Sequence, residues 1–283
     1  MLLRVVSMKD IRNITVSDRV HLSSGSLTES IVKTLEPLGG FANFVSKDDA
    51  ILVKPNFNTG DPFPASTDPE FLETILRLLL KQTTNVRIIE SSTLRANTKE
   101  IIENKVGGIL RELDIPVITE KDFKFARINL KSFGAKYLKS VKLPEQIFDP
   151  NVKIILLPCL KTHFIGQYTG ALKLAVGFME RKQRLRMHMS WRVPQKVAEL
   201  NLGYKPHLII MDARKIFVTG GPASGKMESP MKILASTNRV AIDIEGVQII
   251  QSYHEKNKLE NKDPSMVGTI KRALELGIDK TKG

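Results

Sequence analysis

NVKIILLPCLKTH, residues 151–163, carries the strongest signal for the fold class. Its apolar run Val152–Leu157 predicts a buried strand. The polar residues Lys161-Thr162-His163 follow shortly after that run. In open α/β sheets, ligands bind beyond the carboxyl ends of the strands. The stretch therefore predicts an α/β fold and places candidate ligand-binding residues just after one of its strands.

Short apolar runs alternate with amphipathic stretches along the whole chain, which predicts a mixed, mostly parallel sheet flanked by helices. Further strands are predicted at Ala50–Val53, Asn85–Ile89, Pro116–Thr119, Leu208–Met211 and Ile233–Ser236. Helices are predicted at Thr28–Leu38, from Asp68 through Gln82, at 98–113, in the stretch after His163, at Arg239–Gln251 and at Met266–Leu276. The lysine-rich segment 121–148 predicts a β-hairpin or extended structure. Thr67 or Asp68 is expected to cap the second helix, with Pro69 in its first turn.

The chain has 283 residues, of which 42% are hydrophobic, and this is enough for one full core. We expect a single domain over residues 1–283, with lobes 1–148 and 149–283 as the alternative division. Lysine and arginine outnumber aspartate and glutamate by 43 to 30, for a net charge of +13. This charge favours anionic partners, either small carboxylates and phosphates or nucleic acid and acidic proteins. The densest basic cluster is Arg181–Arg186, which a solvated helix face would explain equally well.

Cysteine usage and hydropathy limit the classes of protein. A single cysteine, Cys159, rules out an intramolecular disulfide and a Cys-ligated iron–sulfur cluster or zinc site within one chain. No apolar run approaches the roughly 18 residues of a membrane span. The first residues reach Lys9 and Asp10 before a signal-peptide core could form. A cytoplasmic location without membrane insertion is therefore expected.

Polar residues follow each of four predicted strands. They are Lys54 and Asn56, then Glu90, then Lys161 and His163, and finally Asp212. Each has an ordinary structural explanation, such as a lysine reaching solvent or an aspartate in a turn. If the strands are parallel, however, all of these side chains face one crevice. Four such endings together favour a binding site.

Two histidines and a glycine-rich stretch add to this crevice. His163 and His188 are candidate acids, bases or metal ligands. No HxH or HExxH spacing supports a metal, so none is assigned. Between them, Gly170 would let backbone N–H groups approach an anion, with Lys173 about one helical turn further on. A glycine-tolerant helix packed tightly on a sheet is the alternative interpretation.

TGGPASGKM, residues 219–227, has the spacing of a phosphate-binding loop except at its last position. Met227 stands where the motif requires a hydroxyl for magnesium. Pro230 and a predicted strand follow, so no helix N-terminus faces the loop. A mononucleotide hydrolase is not expected. Gly220 and Gly221 are instead predicted to form one wall of a different anionic pocket.

Several motifs occur in a fixed order, namely KPNFN (54–58), STDPE (66–70), LKTHFIGQYTGALKLAVGF (160–178), His188, MDA (211–213), GGP (220–222) and ASTNRVAIDIEG (235–246). Together they resemble the domain-of-unknown-function 362 family over about residues 50–250. The resemblance implies site residues at the matching positions, namely Lys54, Asn56, Thr67, Lys161, His163, Thr169, Gly170, Lys173, His188, Asp212, Gly220, Gly221, Pro222 and Asp243. It also suggests a distant kinship to nickel-pincer lactate racemases, which favours an enzyme only by analogy.

The chain departs from the family pattern at three points. Asp68 stands where relatives commonly have histidine, and Leu174 stands where they commonly have asparagine. Many relatives also carry a ferredoxin-like module, which one cysteine cannot supply. A redox role would therefore need an external electron carrier.

The main hypothesis is an enzyme that binds a small carboxylate or phosphate. Lys54, Lys161 and Lys173 would bind the anion, with Asn56, Thr67, Thr169, Gly170, Gly220 and Gly221 around it. His163 or His188 would transfer protons, and Asp212 would orient one of them or hold a metal. Lys161 belongs to the same predicted catalytic set. Two alternatives remain open: a basic protein that binds nucleic acid or an acidic partner, and an accessory protein that handles a metal or cofactor. The cofactor and the oligomeric state are not predicted.

Overall fold

A computed structural model describes residues 14–16, 26–94 and 96–280. Its strands are β1 (Ile14–Val16), β2 (Ala50–Lys54), β3 (Val86–Glu90), β4 (Val117–Thr119), β5 (Phe125–Asn129), β6 (Ser140–Pro144), β7 (Val152–Leu156), β8 (Cys159–His163), β9 (Gln167–Thr169), β10 (Leu208–Phe217), β11 (Met227–Glu228) and β12 (Lys232–Ser236). Its helices are α1 (Ser26–Leu35), α2 (Pro69–Leu80), α3 (Thr98–Glu112), α4 (Ala171–Leu174), α5 (Arg181–His188), α6 (Val193–Leu200), α7 (Arg239–Gln251) and α8 (Gly268–Leu276).

One large mixed sheet runs through the molecule in the order β1-β12-β10-β7-β2-β3-β4. The five strands from β10 to β4 are parallel, and β12 is antiparallel to β10. Side chains that alternate along β2 enter two different cores: Ile51 and Val53 join one, and Leu52 joins the other. Helices α1 to α3 cover the first face, and helices α4 to α8 cover the second. The predicted α/β class with a mostly parallel sheet is confirmed.

Most predicted elements are confirmed to within a few residues. Helix α7 has the predicted ends, and the segment 121–148 contains the antiparallel hairpin β5–β6. The helix predicted at Thr28–Leu38 is α1, and its last turn at Glu36–Leu38 is a 3-10 helix around Pro37. Proline lacks the amide hydrogen that would continue α-helical bonding.

Three predictions around the site are wrong. Strand β10 does not end at Met211 but continues to Phe217, so Asp212 lies within it. Residues Cys159–His163 form β8, which runs beside the second half of β10 after a break at Pro158. The stretch after His163 is not one helix, because the chain turns back through β9 and then forms only one turn of α4 and a 3-10 turn at Ala175–Phe178.

The predicted side-chain cap of α2 is also wrong. Asp68 occupies the N-cap position, and Pro69 lies in the first turn as expected, but no side chain caps the helix. The Asp68 carboxylate instead accepts a hydrogen bond of 2.6 Å from Arg214. A tertiary ion pair has replaced the local cap.

No helix in the described part of the chain is long and apolar enough to cross a membrane.

Candidate functional site

A cavity of about 480 Å³ opens at the carboxyl ends of β2 and β3, beside β8. Of the candidate site residues singled out in the sequence, those that line it are Lys54, Asn56, Glu90, Lys161, His163, Thr169, Lys173, His188 and Pro222. Those that do not line it are Thr67, Gly170, Asp212, Gly220, Gly221 and Asp243. The parallel strands thus bring together polar side chains that are more than a hundred residues apart in the chain.

Lys54 and Glu90 form a buried ion pair on the floor of this cavity. Each is the last residue of its strand, and β2 and β3 are neighbours, so the Lys54 Nζ and Glu90 Oε1 atoms meet at 2.5 Å. The Glu90 carboxylate also accepts the amide hydrogens of Phe57 and Ser91. Burial lowers the pKa of Lys54, and Glu90 opposes that shift. Glu90 is therefore fully engaged within the protein.

Lys161 anchors the loop between β2 and α2. Its side chain is buried, and its Nζ atom donates to the backbone oxygens of Pro64 and Ala65, each at 3.0 Å. No carboxylate among the described residues pairs with it. Burial lowers the pKa of Lys161. The dipoles of these two carbonyl groups partly compensate the ammonium charge.

Lys173 and Arg184 add two further cations. Lys173 is half-buried, and its Nζ atom has no hydrogen-bond partner within the described residues. Burial, followed by the charges of Lys161 and Arg184, lowers the pKa of Lys173 to about 7. Arg184 is buried and donates to the backbone oxygen and the hydroxyl of Ser91. The hydroxyl oxygen of Thr169 and the side-chain nitrogen Nδ2 of Asn56 are buried and have no hydrogen-bond partner among the described residues.

The net charge of the lining is therefore positive. Among the described lining residues, Glu90 is the one carboxylate, and it is held by Lys54. Lys161, Lys173 and Arg184 remain without a counter-ion in that set. Buried or partly buried cations without a counter-ion are costly to maintain, which is typical of a site that receives an anion.

His163 and His188 carry their ring proton on different nitrogen atoms, so one ring offers a hydrogen-bond donor and the other an acceptor. The Nδ1 atom of His163 accepts the amide hydrogens of Ile165 and Gly166 at 3.1 Å, so its proton lies on Nε2. The Nδ1 atom of His188 is 2.8 Å from the backbone oxygen of Arg184 and must carry the proton there, which leaves Nε2 as an acceptor. Burial lowers the pKa of His163 to about 2 and also lowers that of His188. Both rings are neutral at pH 7, one as a donor and one as an acceptor.

Asp212 is not part of the cavity lining. It is buried in β10, and its carboxylate accepts hydrogen bonds from the side chain of Arg214, which also binds Asp68. Its charge is matched by Arg214, and the role predicted for it beside a histidine stays a prediction. Thr67 lies behind the lining and accepts the amide hydrogen of Asn56 at 2.7 Å.

Gly170 and Asp243 together support the start of α4. The Asp243 carboxylate accepts the amide hydrogens of Ala171 and Leu172 and the hydroxyl hydrogen of Tyr168. A Cβ atom on Gly170 would lie 2.3 Å from Asp243 Oδ1. Burial raises the pKa of Asp243 to about 7. These two residues hold the short helix that carries Lys173.

TGGPASGKM forms the hairpin turn between β10 and β11. The Val218 amide donates to the backbone oxygen of Lys226, and a strand follows rather than a helix. The Lys226 ammonium binds Glu255 at 2.5 Å and does not line the cavity. Gly221 has φ +65°, and a Cβ there would lie 1.9 Å from the Thr162 backbone oxygen. The turn is pressed against β8, and Pro222 forms part of the cavity wall.

Arg184 lines the cavity, although the sequence identified it only as a member of the basic cluster Arg181–Arg186. The cluster divides in the structure: Arg184 enters the cavity, Arg181 binds Glu120, and Lys182 and Arg186 stay exposed. No group of three or more His, Cys, Asp or Glu side chains that could hold a metal occurs among the described residues. Cys159 is buried, as expected, and burial raises its pKa.

Comparison with known proteins identifies the class. The family model "Domain of unknown function (DUF362)" matches residues 51–248, and the chain belongs to this family. It is 26% identical over 279 residues to the Thylakoid-associated protein sll1697 of Synechocystis sp., an alignment that covers 96% of this chain and 81% of that protein. A crystal structure of a Thermotoga maritima protein aligns with a TM-score of 0.44 at 15% identity, over 69% of this chain and 51% of that one.

Proposed function

We propose that this protein binds a small anion, a carboxylate or a phosphate, in the cavity between Lys54, Lys161 and Lys173, and that it is an enzyme acting on that anion. The observation that carries the proposal is the charge of the lining: Lys161, Lys173 and Arg184 face a cavity in which the one described carboxylate is already paired. A bound carboxylate or phosphate would supply the missing counter-charge and accept several charge-assisted hydrogen bonds. A cytoplasmic location accords with this proposal.

The two histidines support proton transfer on the bound anion. His163 offers an N–H donor and His188 offers an acceptor, and both line the same cavity as neutral rings. His188 can therefore take a proton from the ligand as a base, while the neutral His163 N–H donates a hydrogen bond that stabilises the charge left behind. The Lys173 amine, with its pKa of about 7, would be a second proton carrier.

Nucleic-acid binding is the weaker alternative, since the basic cluster that suggested it is divided. Arg184 is buried in the cavity and Arg181 is paired with Glu120, which leaves a small exposed set. Affinity for nucleic acid that falls steeply with salt would favour this alternative.

Calorimetric titration with inorganic phosphate and with succinate tests the proposal. We expect saturable binding of one of them, weakened about tenfold or more by Lys173→Met, because a charged donor to the anion is lost. Lys182→Met is the matched control, since Lys182 is exposed in α5. It should leave the affinity within about twofold. If neither anion binds, or if both variants weaken binding equally, the proposed site is wrong.

A further inference from the structure

The mouth of the cavity is apolar although its floor is cationic. Leu94, Phe164 and Leu185 all line the cavity, and they are 40%, 58% and 45% exposed. They come from three separate segments: the loop after β3, the turn between β8 and β9, and helix α5. A site for a small hydrophilic anion gains nothing from exposed apolar side chains around its entrance. Large apolar groups that converge on one opening are typical of an interaction site.

The apolar surface continues beyond the mouth. Met189 follows Leu185 by one helical turn, its amide donates to the Leu185 backbone oxygen, and its side chain is 80% exposed. Lys182 and Arg186 are exposed on the same helix, α5. Exposed cations beside these apolar side chains are attracted to the surface of an anionic membrane.

We propose that the ligand is an anionic amphiphile taken from a membrane surface, with its phosphate or carboxylate head in the cavity and its hydrocarbon chain along the rim of Leu94, Phe164 and Leu185. This inference rests on the proposed anion site and names the class of molecule that enters it. The cationic floor and the apolar mouth match the two ends of such a molecule, and the exposed cations of α5 match the charge of the surface that presents it.

Binding of dodecyl phosphate below its micelle concentration, compared with inorganic phosphate, tests the ligand class. We expect dodecyl phosphate to bind about tenfold or more tightly than inorganic phosphate, because chain methylenes are removed from water. In the double variant Leu185→Ser/Met189→Ser, the ratio of the two dissociation constants should fall toward one. Phe133→Ser is the matched control, since Phe133 is 56% exposed and does not line the cavity. Its ratio should match that of the unaltered protein.

The outcomes separate the two proposals. If both phosphates bind with equal affinity, the amphiphile is wrong and the anion site stands. If neither binds, both proposals are wrong. If Phe133→Ser and the double variant bind dodecyl phosphate with the same affinity, the binding is non-specific adsorption, and the inference is overturned.

Sedimentation with phosphatidylcholine vesicles that contain phosphatidic acid tests the membrane as the source. Vesicles with phosphatidylglycerol at the same surface charge control for simple attraction of a basic protein. We expect more protein to pellet with phosphatidic acid, and we expect Leu185→Ser/Met189→Ser to remove the difference. Equal pelleting on both vesicles, or binding of dodecyl phosphate without any vesicle binding, would overturn the membrane source. Analytical ultracentrifugation tests a second occupant of the apolar rim. If the unaltered protein self-associates and the double variant does not, a second copy of this chain covers the rim, and the inference is overturned.

Discussion

The Lys54 ammonium and the Glu90 carboxylate meet at 2.5 Å across the ends of two adjacent parallel strands, and both side chains are buried. Because Glu90 also binds two backbone amides, this pair holds β2, β3 and the loops that leave them in one arrangement. The pair thus forms the rigid base against which Lys161, Lys173 and Arg184 are placed.

Glu90→Gln should destabilise the protein by about 3–5 kcal/mol, because the buried Lys54 ammonium loses its counter-ion and keeps its hydrogen bond to the Pro55 backbone oxygen. Urea denaturation measures this change in the free energy of unfolding. Glu103→Gln is the control, since Glu103 binds Arg111 at a similar distance but on the surface. It should cost less than about 1 kcal/mol. Similar losses in the two variants would show that the buried pair has no special role.

Lys173→Met should raise the free energy of unfolding by about 1–3 kcal/mol while it weakens anion binding, because it removes a partly buried charge that has no partner in the described structure. Thermal denaturation without ligand and calorimetry with phosphate measure the two effects. A variant that is less stable than the original protein would mean that Lys173 has a structural role.

The stability of the protein should rise with pH between about 7 and 10, and Lys173 should account for part of this rise. The pKa of Lys173 is about 7 when folded and about 10.4 when unfolded, so the unfolded chain binds more protons in that interval. Folding is therefore penalised below pH 7, and the penalty is relieved as the pH rises toward 10. Urea denaturation at several pH values, with Lys173→Met alongside, isolates this contribution. Parallel curves for the two proteins would show that the lysine is not perturbed.

Gly170→Ala should destabilise the protein by about 2 kcal/mol or more, because its Cβ would lie 2.3 Å from Asp243 Oδ1 and would displace the support of α4. The same change should also weaken anion binding through the displacement of Lys173. Gly108→Ala, in α3, is the control, since a Cβ there meets no heavy atom within 4 Å. It should stabilise the protein by about 0.5–1 kcal/mol. Equal effects at both positions would contradict the role assigned to the Gly170–Asp243 contact.

Local patterns were sufficient to predict the strands that end at Lys54 and Glu90. A short apolar run followed by polar residues predicts a buried strand, whichever strands it pairs with. Local patterns were also sufficient for α7, which was predicted from the local sequence with its observed ends. Arg184 was assigned to a basic cluster because it lies in the run of basic residues Arg181–Arg186. Its burial depends on where α5 packs, and no local pattern contains that information.

The sequence by itself determined the α/β class, the family, and the presence of several cations after parallel strands, because these follow from short-range periodicity and motif order. The tertiary structure alone decided which of these groups share the cavity. The extension of β10 placed Asp212 beside Arg214 and outside the lining, and the break at Pro158 turned Lys161 and His163 into strand residues. Pairing between distant strands and the partner chosen by each buried charge are long-range properties. The charge and hydrogen bonding of the cavity therefore depend on contacts between residues that are distant in the sequence.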